Sequence, residues 1–467
     1  MFYLLLFYKL LQNSLKMKKL FRFVGLALLL TLLFFGYTTY PKLDLISGFS
    51  AKSMASGHFI DDRSLETIEK KDNAIPKIDW ATNAIDETGK LAISSVFGLK
   101  KRKAIYREGL GATLINDEFD VAKPYNVPKR TKNKTNLPFP YGDKEQKDTV
   151  FGNLDYSKLE KAVANAFDTN GVQSKRTRSI IVIYKDKIIA EKYAPGIDKN
   201  SKILGWSMTK SITATMFGIL QKQGKIDINK RAPIIEWAND ERAKITINDL
   251  LHMNSGLEWE EDYTKISDVT NMLFLAEDMT QSQINKPLIG KPNTTWNYSS
   301  GTSNLLSGIL RKQFKTHQEY LDFWYAALID KIGMHSMLVE TDMAGNYVGS
   351  SYSWATTRDW AKFGLLYLHK GNWNGEQLFN ADWAKYVATP TNGSEGGYGG
   401  HFWLNAGGYM PDAPRDVYSA NGYQGQRVFI LPSQEMVIVR MGLSEDKTFD
   451  FNGLLKGVVG SIRSNSK

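Results

Sequence analysis

Apolar and polar positions change period several times along the chain. Phe23 to Tyr40 (FVGLALLLTLLFFGYTTY) is 18 residues without a charge, directly after Lys18, Lys19 and Arg22. That length matches the hydrocarbon thickness of a bilayer, so residues 1–40 predict a signal or membrane anchor. No small-x-small cleavage site and no lipobox cysteine follow. An uncleaved anchor is the better expectation, with secretion after signal cleavage as the alternative. The basic side stays in the cytoplasm, which puts everything after Pro41 on the periplasmic or extracellular side. Met17 opens a Met-Lys-Lys sequence that reads as a natural start. Residues 41–150 are mixed and turn-rich, and are expected to be an extension packed on, or leading to, a main domain over 151–467.

From about residue 175 the pattern sharpens. Ser179–Ala194 holds two β-branched runs around Lys185-Asp186-Lys187, and Arg427–Met441 repeats the arrangement around Pro432-Ser433. Both predict hairpins. Ser207–Gln223 places Ile212, Met216, Ile219 and Leu220 at helical spacing and stops at Gly224. Residues 246–253, 302–314, 318–329 and 359–369 also predict helices. Strands at both ends of a helix-rich middle imply an α+β domain. The end strands pair in one antiparallel sheet flanked by helices, with a mostly helical subdomain inserted between them.

Charge first suggests an acidic partner and then withdraws the suggestion. The formal net charge is +10. Residues 1–40 account for +5 of it, and residues 96–135 for +6, with ten Lys and Arg against four acids. The rest of the chain is close to neutral, so no basic footprint for nucleic acid exists in the main domain. Lys100-Lys101-Arg102-Lys103 reads as a solvated surface patch in preference to a docking site for an anionic polymer or lipid. The chain has no cysteine, which excludes disulfides, thiolate metal sites and a thiol nucleophile. Its six histidines, His58, His252, His317, His335, His369 and His401, form no H-x-x-x-H pair. They read as helical or surface residues, and no metal or cofactor is expected.

Gly205-Trp206-Ser207-Met208-Thr209 nearly matches the G-x-S-x-G nucleophile elbow but lacks the final glycine. What Ser207 has is Lys210, three residues on and therefore on the same face of a helix. The helix N-terminus favours negative charge developing on the hydroxyl, and a lysine acts as base there only if burial keeps it partly neutral. S-x-x-K recurs at Ser444/Lys447 and Ser464/Lys467, but only Ser207 opens a long apolar-faced helix. The competing reading is a capping serine with an exposed lysine. Tyr298, in the polar loop Tyr298-Ser299-Ser300, is a candidate proton relay, with a packed loop aromatic as the alternative. Gly422-Tyr423-Gln424-Gly425-Gln426 precedes the last hairpin, where glycines let backbone amides approach a ligand; a plain tight turn is the bland reading.

These motifs, in this order, resemble the serine hydrolases of the β-lactamase and penicillin-binding-protein superfamily, in its class C β-lactamase-like branch. The resemblance covers about 179–460 and extends to Leu250-Leu251-His252-Met253-Asn254-Ser255-Gly256-Leu257 and Ala355-Thr356-Thr357-Arg358-Asp359. Tyr298-Ser299-Ser300 stands for the superfamily's Y-x-N, and Gly422–Gln426 for its K-T-G strand motif. Both departures look like the 6-aminohexanoate-dimer hydrolase and carboxylesterase side. They put β-lactam hydrolysis in doubt, because the cation that binds the β-lactam carboxylate is missing.

The resemblance implies acyl transfer on a small amide or ester. Ser207 attacks, and Lys210 and Tyr298 move the proton. The amides of Ser207 and Tyr423 hold the oxyanion, and Gly422, Gln424 and Gly425 line the substrate site. Which of Lys210 and Tyr298 serves deacylation stays open. A D-amino-acid peptidase and an inactive envelope-binding protein are the alternatives.

Overall fold

The computed structural model describes residues 2–132, 135–142, 144–169, 174–444 and 448–463; for 2–15, 32 and 35 only the backbone is described. Lys134, Lys447, Ser464 and Lys467 lie outside the described residues.

The first element is a helix, α1 (Phe2–Asp61), which continues the apolar run without a break into the extension. Pro41 sits inside it. Four antiparallel strands follow, β1 (Ala81–Asp86), β2 (Leu91–Val96), β3 (Leu99–Arg107) and β4 (Gly111–Ile115), joined in sequence order. The alternation in β2 is regular, with Ala92, Ser94 and Val96 buried. Small residues make the contact: Ala51, Met54 and Ala55 of α1 pack on Ala92, Ala104 and Ala112 of the sheet. Up to Ile115 the stretch expected as a mixed, turn-rich extension is therefore a helix on a sheet. The signal was hidden because a helix buried by alanines has little amphipathic contrast.

The main sheet has six strands. After the helix α2 (Tyr156–Asn165) come β5 (Thr177–Tyr184) and β6 (Lys187–Tyr193). Helices α3 (Met208–Lys222), α4 (Ser300–Arg311) and α5 (Thr357–Leu368) follow. The chain returns through β7 (Trp403–Leu404), β8 (Tyr418–Gly422), β9 (Gln426–Leu431) and β10 (Met436–Gly442), and closes with α6 (Phe451–Val459). The strand order is β7-β8-β9-β10-β5-β6. The expected pairing of the two ends is present, with Ile181 opposite Val439 and Ile183 opposite Val437. The β5–β6 hairpin turns at Lys185 and Asp186, both in the left-handed region at φ 49° and 62°.

Both faces of this sheet are covered, which is why its central strands read as continuous apolar runs. Ile181, Ile183, Val437 and Val439 face the core shared with α3 and α5. Ile180, Val182, Phe429 and Ile438 face α2 and α6.

The extension and the body share a core. Trp206, Trp259, Val348 and Tyr352 belong to the same cluster as Met54 and Ala55. Buried polar groups tie the two further. Lys52 of α1 pairs with Glu340, which also accepts Ser56 Oγ at 2.7 Å and the Ala112 amide at 3.2 Å. Asp72 takes both Arg63 at 2.5 Å and Arg178 of β5 at 2.7 Å, and the two guanidiniums hold its carboxyl well below the usual range against the opposing effect of burial.

Candidate active site

Ser207 lies at the N-cap of α3, yet its side chain makes no capping hydrogen bond. The hydroxyl is engaged by Lys210 instead: Nζ lies 3.0 Å from Ser207 Oγ, 2.9 Å from Ser300 Oγ and 2.9 Å from the Ser350 carbonyl. Lys210 is 1% exposed, so the reading of a capping serine beside an exposed lysine fails on both halves. Burial pushes the Lys210 pKa down to about 8, with the Glu261 carboxylate pulling the other way.

The loop before Ser207 is shaped by two close approaches. Trp206 takes the left-handed conformation at φ 48°, uncommon for a large side chain. A Cβ on Gly205 would meet the Trp360 ring at 2.3 Å, and one on Gly422 would meet the Gly205 carbonyl at 2.1 Å. Glycine at both positions is what lets the end of β8 lie against the nucleophile loop. Trp206 is then boxed by Phe49 of α1 at 6.1 Å, Tyr352 at 5.8 Å and Tyr423 at 5.5 Å between ring centroids.

Tyr298 is brought to the same point. Its ring lies under Lys210 Nζ at 5.0 Å, and burial, reinforced by Glu261 and opposed by the nearby Ser207 hydroxyl, holds its pKa well above the usual range. Tyr398 and Trp403 pack on its ring at 5.8 and 5.3 Å. At neutral pH Tyr298 is therefore a neutral proton donor, and Lys210 is the group that titrates nearby.

Sequence reasoning missed Glu261. Its carboxylate accepts the Ser300 amide at 2.8 Å, the Ser300 hydroxyl, Trp259 Nε1 at 2.6 Å and the Tyr263 hydroxyl at 3.1 Å. Ser300 thus links Lys210 to Glu261, and fills the third position of the Y-x-N element with a hydroxyl. Only the spacing of an acidic loop (Glu258 to Asp262) to a helix start hinted at this, and such loops are common.

The remaining expected residues divide. Tyr423 stacks on Tyr263 at 5.5 Å and follows Gly422, the residue whose backbone touches the nucleophile loop. Gln424, at φ 58°, buries its side chain in a cavity shared with Phe49, Lys52 and Trp206 under α1. A Cβ on Gly425 would meet Arg440 Nη1 at 2.4 Å. Gln424 and Gly425, both expected to line the substrate site, thus turn the chain beside Gly422 with the Gln424 side chain under α1 and Gly425 against Arg440. His252 and His401 are buried, not superficial: Thr391 and the Leu251 carbonyl each bind one at 2.6 Å, and burial lowers their pKa values to about 4 and about 3. Among the described residues, no cluster of His, Cys, Asp or Glu could hold a metal ion.

Similarities to known proteins fit this arrangement. A 6-aminohexanoate-dimer hydrolase of Paenarthrobacter ureafaciens is 22% identical over 311 residues, 61% of this chain and 77% of that protein. The crystal structure of a family VIII carboxylesterase superposes with a TM-score of 0.52 at 15% identity, covering 66% of this chain and 97% of that one. A penicillin-binding protein homologue from Caulobacter crescentus gives 0.52 at 11% identity, over 66% and 97%. The family model described as Beta-lactamase matches residues 163–452, more than half of the chain. The protein therefore belongs to the Beta-lactamase family, with a helix and a sheet in front of the matched region.

Proposed function

We propose that the protein is a serine hydrolase that cleaves an amide or ester bond through an acyl-enzyme. The observation that carries this reading is the buried, partly neutral Lys210 within 3.0 Å of a serine hydroxyl that caps nothing. Neutral Lys210 takes the Ser207 proton as Oγ attacks the carbonyl carbon. Tyr298, whose ring lies beside Lys210 Nζ, passes a proton to the departing amine or alkoxide and regains one from the protonated Lys210, and water then resolves the ester. The amides of Ser207 and Tyr423 receive the oxyanion. Ser300 and Glu261 orient the lysine between steps. The names of the relatives, an amide hydrolase and a carboxylesterase, agree with this chemistry.

We also read α1 as the anchor. Its stretch from Lys16 is long and apolar enough to cross a membrane, and the basic residues before Phe23 leave the catalytic body outside the cytoplasm.

The test is a turnover screen of the full chain in detergent over short-chain esters, linear amides, β-lactams and D-Ala-D-Ala peptides, beside Ser207→Ala. Ester or linear-amide turnover lost in Ser207→Ala is the expected result. Turnover of D-Ala-D-Ala peptides alone would make it a peptidase, and a fluorophosphonate that labels Ser207→Ala as well as the parent would remove the nucleophile assignment.

A further inference from the structure

The sheet of the extension is aligned with α1, and this fixes which end of it approaches the apolar run. At one end, Lys100 Nζ lies 2.7 Å from Asp44 and 4.5 Å from the Tyr40 ring centroid, and Ser47 Oγ donates to the Lys100 carbonyl at 2.6 Å. At the other end, Tyr106 stacks on Phe59 at 5.5 Å and Glu87 meets His58 at 2.7 Å. The turn between β2 and β3, Phe97-Gly98, therefore points back along the helix toward Tyr40, where the uncharged run ends. From the rise of helix and strand, Phe97 stands within about 5 Å of that level. The headgroup layer of a leaflet is about 5–8 Å deep.

The residues gathered at this end are unusual for a water-facing surface. Phe97 is 73% exposed, Leu99 48% and Trp80 43%, and the Phe97 and Trp80 rings lie 6.0 Å apart. Tyr37 and Tyr40 are exposed on the adjoining helix. Lys42, Lys77 and Lys101 are exposed around them, with Asp79 as the exposed acid among them. Aromatic rings and lysines grouped at the end of an apolar span are the composition of a membrane interface.

We propose that the Phe97-Gly98 turn, with Trp80 and Leu99, is a second membrane contact. Its apolar side chains enter the outer-leaflet interface, and Lys42, Lys77 and Lys101 meet anionic lipid phosphates. The proposal rests on the reading of Phe23–Tyr40 as a membrane span. It gives Lys101, one residue of the basic run expected to be merely solvated, a lipid partner, and it holds the body at a fixed tilt and height above the bilayer.

The chain lacks cysteine, so single cysteines at Leu99, Tyr37 and Thr88 can each carry an environment-sensitive fluorophore. The full-length protein is reconstituted in phosphatidylcholine vesicles with or without phosphatidylglycerol, and quenching by nitroxide-labelled lipids is read. Quenching at 99 and 37 but not at 88, in the membrane-distal turn, is expected. A bright probe at 99 with a quenched probe at 37 overturns the contact and leaves the span. Bright probes at both overturn both, and a quenched probe at 99 with a bright one at 37 upholds the lipid contact and removes the span. Quenching at 88 as well would mean adsorption of the whole body and would also overturn the contact. Trp80→Ser with Phe97→Ser is expected to abolish quenching at 99. Lys77→Gln and Lys101→Gln are expected to shift the bound-to-free ratio of the turn about fivefold each, only in vesicles with phosphatidylglycerol; no shift there would overturn the headgroup pairing.

Discussion

Phe49 stacks on Trp206 with ring centroids 6.1 Å apart and planes 20° from parallel. Phe49 belongs to the N-terminal helix, outside the region matched by the family model, while Trp206 is the left-handed residue directly before Ser207, the proposed nucleophile. The added helix therefore forms part of the support behind the active site. Phe49→Ala should cost about 2 kcal/mol in urea unfolding, from lost burial and ring contact. It should also lower the rate of fluorophosphonate labelling of Ser207 more than it raises KM, with Phe49→Leu restoring most of both. An unchanged labelling rate in a destabilised Phe49→Ala would confine Phe49 to stability.

The Lys52–Glu340 pair makes a sharper claim about the same junction. Both partners are nearly fully buried, at 5% and 0% exposure, so removing one charge strands the other. Glu340→Gln should cost about 3–5 kcal/mol, and Lys52→Met with Glu340→Leu should recover much of that loss. Burial already lowers the Lys52 pKa. Without Glu340 it falls further, so the unfolded chain binds more protons than the folded one and the stability of Glu340→Gln rises with pH.

The Lys210 pKa of about 8 sets the acid limb of the rate profile. Because the neutral amine is the base, kcat/KM should rise with pH, about tenfold per unit below 8, and level off above it. Lys210→Met should remove acylation while leaving the far-ultraviolet circular dichroism unchanged. The same shift acts on folding. Between pH 8 and the ordinary lysine value the unfolded chain holds a proton that the folded chain lacks, so this group's contribution to stability rises across that window.

Glu261 raises the pKa of Lys210 through its charge. Glu261→Gln should therefore move the acid limb to lower pH while reducing kcat by about 10–100-fold, the range of a misplaced general base. A reduced kcat with the limb unmoved would mean that Glu261 acts on Ser300 and the surrounding loop but not on the lysine.

Local pattern carried a large share of this. Period-two and buried-strand runs located the two hairpins, and the 3.6 period located α3 and placed Ser207 at its head with Lys210 on the same face. The order of serine-lysine, tyrosine and glycine-rich strand entry was enough to reach the family. Pattern failed where contrast was low: the helix and sheet of the extension meet through alanines and serines, which signal little by periodicity. It says nothing of what surrounds Gln424 and Gly425, since a glycine-rich turn reads alike whether it faces a ligand or packs on Arg440.

What the sequence by itself determined were the identities and chain order of the candidate groups: with no thiol, serine, lysine and tyrosine are the residues the proposed chemistry draws on. Tertiary structure decided their states. A lysine three residues from a serine is an ordinary surface cation until Ser300, Ser350 and the helical core close over it, because the pKa depends on desolvation and facing charge, and both come from residues distant in sequence. The same holds for Glu261, 37 to 54 residues in sequence from Lys210, Ser207 and Tyr298, and for the exposed rings of Trp80 and Phe97, which acquire meaning only from the direction in which the sheet lies along α1.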